Sequence, residues 1–185
     1  MQNLSREERK ALVDKSLEYI YDLWEAAINQ GHEVLDTLVA SSWSFQAYLG
    51  LEGIRVSPGT WIYWDSRNAT MAELPFKIAA VVLGQVVDKN VANDTVTVDI
   101  GSKAITSDQP MEVRFKVVGH ENMELVAQSE EHGVIKLNGS QFQLGDMILV
   151  HPGHACTTTV KYPYANTVNN HGKIIGRYVH QARDR

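Results

Sequence analysis

Thr95-Val96-Thr97-Val98-Asp99-Ile100 is the run whose reading decides the fold. Apolar and polar residues alternate strictly. In extended backbone Val96, Val98 and Ile100 therefore share one face, and Thr95, Thr97 and Asp99 share the other. A helix cannot sort residues two apart in this way, so the run is a half-buried strand. Upstream, 77–87 is a long stretch rich in β-branched residues, closed by an expected turn at Asp88-Lys89-Asn90. Downstream, short strands are expected at 113–118, 134–137, 147–150, 157–160 and 173–179, with Gly and Asn turns between several of them. That spacing predicts a mainly β region, an antiparallel barrel or sandwich, over residues 72–185.

The chain before it reads differently. Ser5 and Glu8 have capping-box spacing. Leu12, Leu17, Ile20, Leu23 (or Trp24), Ala27 and Ile28 recur at helical intervals, and Gly31 is a stop signal. These features predict an amphipathic helix packed on a core, with Lys10 and Lys15 as solvated charges on its polar faces. Residues 34–40 suit a short buried strand, and the Ser- and aromatic-rich 41–48 a turn or short helix. After the Pro58-Gly59 break, Trp61-Ile62-Tyr63-Trp64 reads as a further strand ending at Asp65. The apolar pattern lapses over 66–75, and the boundary is drawn between 71 and 72. The whole is α+β.

Composition bounds the function. A chain of 185 residues, 44% hydrophobic, can bury one sizeable core and a small satellite. The net charge is −5 and the 17 Lys and Arg are scattered, so no basic surface for nucleic acid is expected. No apolar run nears the roughly 20 residues that cross a bilayer, so no membrane partner is expected. The start, MQNLSREERK, is too charged for a signal peptide. The single cysteine, Cys156, excludes an intrachain disulfide and a multi-cysteine zinc site, and makes a reducing, cytoplasmic location the expectation.

The chemistry concentrates in Gly145-Asp-Met-Ile-Leu-Val-His-Pro-Gly-His-Ala-Cys156. If this segment is extended, His154 and Cys156 project from one face and offer an imidazole nitrogen and a sulfur to one ion. Zinc prefers such donors. Binding would deprotonate the thiol. Unless a distant residue completes a tetrahedron, the ion keeps open positions, as a catalytic site does. The plainer reading makes Cys156 a buried hydrophobe and the pair ordinary core residues.

Four segments occur in order: Asp99-Ile-Gly-Ser-Lys-Ala-Ile-Thr-Ser-Asp108, Ser129-Glu-Glu-His-Gly133, Pro152-Gly-His-Ala-Cys156 and a final Ala182-Arg183. In these the chain resembles the C-terminal domain of the D-serine dehydratase and D-threonine aldolase family. Those are fold-type III pyridoxal-phosphate enzymes, related in architecture to alanine racemase. The resemblance implies that residues 1–71 are a remnant of a (β/α)₈ barrel, with Gly53 to Asp65 as its last strand. It implies zinc on His154 and Cys156, since a cysteine at the second position resembles the dehydratases and an aspartate the aldolases. Zinc would act as a Lewis acid on the substrate's β-hydroxyl while the cofactor stabilises negative charge on the α-carbon. Glu131 and His132 are expected near the metal, ordinary strand-edge hydrogen bonding being the other reading. Lys103, which shares its matched segment with Asp99 and Asp108, is expected to be structural. Gly153 stands where many relatives have Asn.

Family members anchor the cofactor through a lysine on the first barrel strand. This chain begins at what looks like the sixth helix of that barrel, so that strand is not expected in it, and neither Lys10 nor Lys15 takes its place. The cofactor phosphate would fall at Ala40-Ser-Ser-Trp-Ser-Phe45. Ser42 and Ser44 offer hydroxyls there, but the turn has no glycine. Three readings stay open. The chain is the C-terminal part of a zinc- and pyridoxal-phosphate-dependent D-hydroxyamino-acid lyase, dehydratase-like or aldolase-like, inactive alone. Its substrate would be a small D-amino acid such as D-serine or a 3-hydroxyaspartate. The cofactor would bind only when a complementing barrel chain is present. Or the chain is a non-catalytic β-domain that binds zinc or self-associates. Or it shares only the fold. Unpaired strand edges and an apolar face favour a homo-oligomer or a complex with the barrel chain.

Overall fold

The Ser5 hydroxyl accepts the Glu8 N–H at 3.1 Å and the Glu8 carboxylate accepts the Ser5 N–H at 2.7 Å, so the chain enters its first helix through a reciprocal capping box. The structure, a computed structural model, describes residues 4–181. Helix α1 spans Arg6–Asn29 and is followed by Gly31 at φ +81°, a conformation that glycine adopts without strain. Of α1 only Arg9 and Val13 are buried, and Leu12, Leu23 and Ile28 are exposed. The expected packing of the apolar stripe on a core is thereby corrected.

Residues 34–40 do not form a buried strand either. They give β1, Leu38–Val39, which pairs in parallel with β2, Arg55–Val56. Leu38 is exposed, and the strand expected over Gly53 to Asp65 is confined to two residues. Arg55 is ion-paired with Asp36, and Trp24 Nε1 donates to Thr37 Oγ1 at 2.9 Å. Parallel pairing suits a piece of a (β/α)₈ barrel. The strand expected at 61–64 is absent. Thr60–Ile62 is a 3₁₀ turn, and Trp64 takes φ +53°, outside any strand geometry.

The second unit carries the core. Strands β3 (Val82–Asn90), β4 (Thr95–Val98), β5 (Phe115–Val117), β6 (Glu124–Gln128), β7 (Gly133–Lys136) and β8 (Met147–Pro152) form one antiparallel sheet in the order β5-β8-β3-β4-β7-β6. The sheet curls into a nearly closed barrel whose edges are β5 and β6. Val96, Val98 and Ile100 are fully buried, as their alternation requires, and meet Val86, Phe115, Ile135 and Val150 in one cluster. Gly84 permits the close curl, since a β-carbon there would lie 2.5 Å from Ile100 Cγ1.

Two expectations are revised here. Asp88-Lys89-Asn90 ends β3 and is not the turn. The turn lies just after it, where Asn90 Oδ1 accepts the Asn93 N–H at 3.0 Å. Residues 157–160 are not a strand, because helix α2 spans Ala155–Thr159. Two strands escape the sequence pattern. One is β6, whose bulge between Leu125 and Ala127 breaks the period of two. The other is β9 (Tyr164–Val168), which pairs with β10 (Ile174–Val179) in a separate hairpin.

The two compact units are Met1–Ile62 and Tyr63–Arg185, so the division falls ahead of the 71/72 position read from the sequence. Residues 63–79 are tied into the second unit by backbone bonds. The Ala79 N–H donates to Tyr63 O at 2.7 Å, and the Ser66 N–H to Pro152 O at 3.0 Å. Ala182 and Arg183 lie outside the described residues. Among those residues no helix is long and apolar enough to cross a membrane.

Candidate functional site

Strand β8 ends at Pro152 and turns directly into α2. Gly153 makes the turn: its N–H donates to Arg114 O at 2.7 Å, and a β-carbon on it would fall 1.8 Å from the Val113 carbonyl oxygen. His154 follows in extended conformation as the N-cap residue, and Cys156 lies in the first helical turn. The premise of one continuous strand through both residues is therefore corrected. The junction still keeps them near each other, Cys156 being the main influence that raises the His154 pKa. Cys156 is exposed and a third of the His154 side chain (34%) is accessible, so neither is a core residue.

His154 Nδ1 lies 2.7 Å from Asp108 Oδ2. The other Asp108 oxygen accepts from the Thr106 hydroxyl and, at 3.2 Å, from the Thr157 hydroxyl. Burial pushes the Asp108 carboxyl up, but the Thr106 hydroxyl, the His154 ring and its charge outweigh that and hold it at about 2. The His154 imidazole is pushed up to about 9. Its hydrogen bond with Cys156 is the main cause, burial opposes it, and the hydrogen bond and charge of Asp108 add to it. A carboxylate on one ring nitrogen fixes the plane of the ring, and fixes its tautomer once the ring is neutral. The sequence marked Asp108 only as the end of a matched segment. Its partner is 46 positions away, beyond any local pattern.

Asp65 was missed. It is 1% exposed, its Oδ1 accepts the Asn68 N–H at 2.8 Å, and its Oδ2 accepts the Ala155 N–H at 3.0 Å. Burial pushes its carboxyl up, against the pull of those two bonds. No sequence signal separates it from any other acid at a turn.

The first two matched segments meet face to face. A β-carbon at Gly101 would lie 2.2 Å from Glu130 O, and the Ser102 and Lys103 N–H groups donate to Ser129 O at 2.9 Å and Glu130 O at 3.0 Å. Lys103 Nζ sits 3.0 Å from the Glu130 carboxylate and 2.7 Å from that of Glu131, which raises its pKa, the Glu131 hydrogen bond being the larger cause. Lys103 and Glu131 thus bind each other, and the exposed His132 gives its backbone N–H to Ser129 Oγ at 3.1 Å. Lys10 pairs with Asp14 on α1 at 2.7 Å.

Ser42 and Ser44 are buried. Ser42 Oγ accepts the Thr60 N–H at 3.1 Å and Ser44 Oγ accepts the Ser41 N–H at 3.3 Å. The N–H groups of Trp43, Ser44 and Phe45 are all directed at Ser41. An anion cradle needs backbone N–H groups that point outward, so this turn as it stands does not fit a cofactor phosphate. Among the described residues no group of three or more His, Cys, Asp or Glu side chains assembles into a metal site. The candidate donor set is the pair His154 and Cys156.

Residues 79–168 match the family model described as a putative serine dehydratase domain. No curated protein sequence matches the chain. Among solved structures it is similar to a D-threonine aldolase from Filomicrobium marinum, with TM-score 0.82 and 22% identity over 96% of this chain and 49% of that one. It is also similar to a D-threo-3-hydroxyaspartate dehydratase from Delftia sp. HT23, with TM-score 0.80 and 20% identity over 95% and 52%. An alanine racemase-like protein from Idiomarina loihiensis gives TM-score 0.79 and 18% identity over 95% and 51%. At these identities the likeness is one of fold, and the chain spans about half the length of each. A D-threo-3-hydroxyaspartate dehydratase has also been solved with a histidine replaced by alanine. A cysteine two positions after that histidine was replaced in another structure, described as the metal-free form.

Proposed function

We propose that this chain, whose residues 79–168 carry a putative serine dehydratase domain, supplies the metal-holding part of a zinc- and pyridoxal-phosphate-dependent lyase acting on β-hydroxy D-amino acids. The chain is related to D-serine dehydratases, D-threonine aldolases and hydroxyaspartate dehydratases. The observation that carries the reading is the junction at β8 and α2, where the Asp108 carboxylate holds the His154 ring two positions before the exposed Cys156.

The donors there fit zinc. Metal-bound histidines commonly give their second ring nitrogen to a carboxylate, and Asp108 already occupies that position on His154. The thiol of the exposed Cys156 completes an N,S pair. Two protein ligands leave positions open for substrate, and a bound zinc supplies Lewis-acid polarisation of a β-hydroxyl. His154 and Cys156 would bind, Asp108 would orient the ring, and Gly153 would let the chain turn into the site. Cysteine in place of aspartate favours water elimination, from D-serine or a 3-hydroxyaspartate, over the aldolase-like alternative.

Pyridoxal phosphate supplies an electron sink when bound, and its place in the proposal depends on a complementing barrel chain that brings the anchoring lysine. Ser42 and Ser44 would give hydroxyls to its phosphate only if that chain reshapes the 40–45 turn. The 185 residues alone are therefore expected to be inactive. The exposed Leu35 and Leu38 beside the short β1–β2 pair support association with such a chain or with a second copy. The lone cysteine supports a reducing, cytoplasmic setting. A second reading, a non-catalytic zinc-binding or self-associating β-domain, is favoured by the closed 40–45 turn.

Metal analysis tests the core of this. Purified protein should carry up to one zinc per chain, and Cys156→Ser should lose it more readily, because a hydroxyl is a poor ligand beside a thiolate. Equal metal content in the two proteins would remove His154 and Cys156 from the proposal.

A further inference from the structure

Helix α2 begins in an unusual way. A Ser, Thr, Asp or Asn at the N-cap would normally satisfy the first free N–H groups of a helix with its own side chain. Here the N-cap residue is His154, and it makes no side-chain cap bond. Its ring is turned instead to Asp108 and Cys156. A bond of another kind comes from Asp65, whose Oδ2 accepts the N–H of Ala155, 90 positions away, the first residue of the helix and the one between His154 and Cys156.

The neighbour of Asp65 holds the other side of the same junction. Ser66 gives its N–H at 3.0 Å and its hydroxyl at 3.2 Å to Pro152 O, immediately before Gly153. Two adjacent residues thus fix the backbone at 152 and at 155. The segment presenting them is itself firmly set. Trp64 is 1% exposed at φ +53°, a conformation disfavoured for a bulky residue, and is stacked edge-on against Phe76 with ring centroids 5.1 Å apart. A carboxylate buried this deeply is disfavoured by desolvation, and an apolar residue would serve mere packing better. Its two oxygens are spent on two backbone N–H groups.

We infer that Asp65 is a positioning residue for the metal-holding pair: its carboxylate takes the first N–H of α2, between His154 and Cys156, and so sets the backbone from which both side chains face the ion. The inference rests on the zinc reading above and names a residue that reading does not use.

Cobalt(II), in place of zinc, reports sulfur ligation through thiolate-to-cobalt charge-transfer absorption. Metal-free full chain, Asp65→Asn and Asp65→Ala are each titrated with cobalt and melted without metal. Ile135→Val, a core change in the barrel, controls for general destabilisation. Wild type and Ile135→Val should bind with the charge-transfer band. Asp65→Ala should bind roughly ten- to a hundredfold more weakly with a diminished band per cobalt, as loss of an outer contact commonly does. Asp65→Asn, with one acceptor oxygen left, should fall between. A wild-type chain that shows no band sinks the zinc reading. A band in wild type that is equally strong and equally tight in both Asp65 variants sinks the role of Asp65 alone. If Asp65→Ala does not melt cooperatively, Ala155→Pro decides. It deletes the N–H that Asp65 accepts and adds ring carbons at a buried residue, and proline suits the first position of a helix. Weakened cobalt binding in Ala155→Pro supports the inference, and unchanged binding overturns it.

Discussion

His154 Nδ1 stands 2.7 Å from the Asp108 carboxylate, and this contact joins the end of the 99–108 segment to the 152–156 segment. The start of 99–108 meets the 129–133 segment through Gly101, whose missing β-carbon lets the Glu130 backbone approach. Three stretches that merely occur in order along the sequence are thus one connected structure. The 99–108 stretch, which joins the other two, carries the carboxylate that meets the histidine.

Asp108→Asn should weaken zinc retention roughly tenfold, because the amide cannot hold the imidazole as a carboxylate does. Competition with a chromophoric chelator measures it. Thr157→Val, which removes one hydroxyl from Asp108, should act in the same direction and less. Zinc affinity unaltered by Asp108→Asn would mean that the carboxylate does not support the ligand.

Gly153→Ala should cost at least about 2 kcal/mol of stability, since the added methyl would meet a backbone carbonyl and not a movable side chain. Urea unfolding at constant m-value reads it directly. Gly153→Asn should be no better. A variant as stable as wild type would show that the 113–114 backbone yields.

Burial on β8 lowers the His151 pKa. For a histidine the sign follows: the folded state resists protonation, so the related stability is complete above the unfolded pKa, about 6.5, and is lost as pH falls through the lower folded value. The melting temperature of wild type minus that of His151→Gln should be flat above that pH and decline below it. A difference that stays constant through the acid range would rule the effect out.

Much of the barrel was legible because Val96, Val98 and Ile100 obey a period of two that only a half-buried strand explains. The helix α2 was not. Thr157-Thr158-Thr159-Val160 is β-branched throughout and reads as strand. It is helical because Asp65 takes its first N–H from afar and Thr158 bonds back to His154 O, through its N–H at 3.3 Å and its hydroxyl at 2.9 Å. For α1 the spacing of Leu12, Leu17 and Ile20 revealed a helix but could not reveal what its stripe would meet. In the candidate site, His154 and Cys156 could be read as candidate donors by residue type, and Asp108 as part of a motif. Asp65 was invisible, since its role exists only across a long sequence separation.

The environment of the lysines sets the last expectation. To hold pyridoxal phosphate covalently, a lysine must present an uncharged amine, which needs a depressed pKa. Lys103 has the opposite setting, two carboxylates within 3.0 Å and a raised pKa. Lys10 is paired with Asp14. Lys89 and Lys136 donate to backbone carbonyls, at 2.7 Å from Phe142 O and 2.6 Å from Asn93 O. Incubation with the cofactor, borohydride reduction and mass spectrometry should therefore give scattered, substoichiometric labelling of these 185 residues. In the presence of a complementing barrel chain, the label should move to a single lysine of that chain. One stoichiometric adduct on a lysine of this chain alone would show that it anchors the cofactor unaided, and the division of labour proposed here would be wrong.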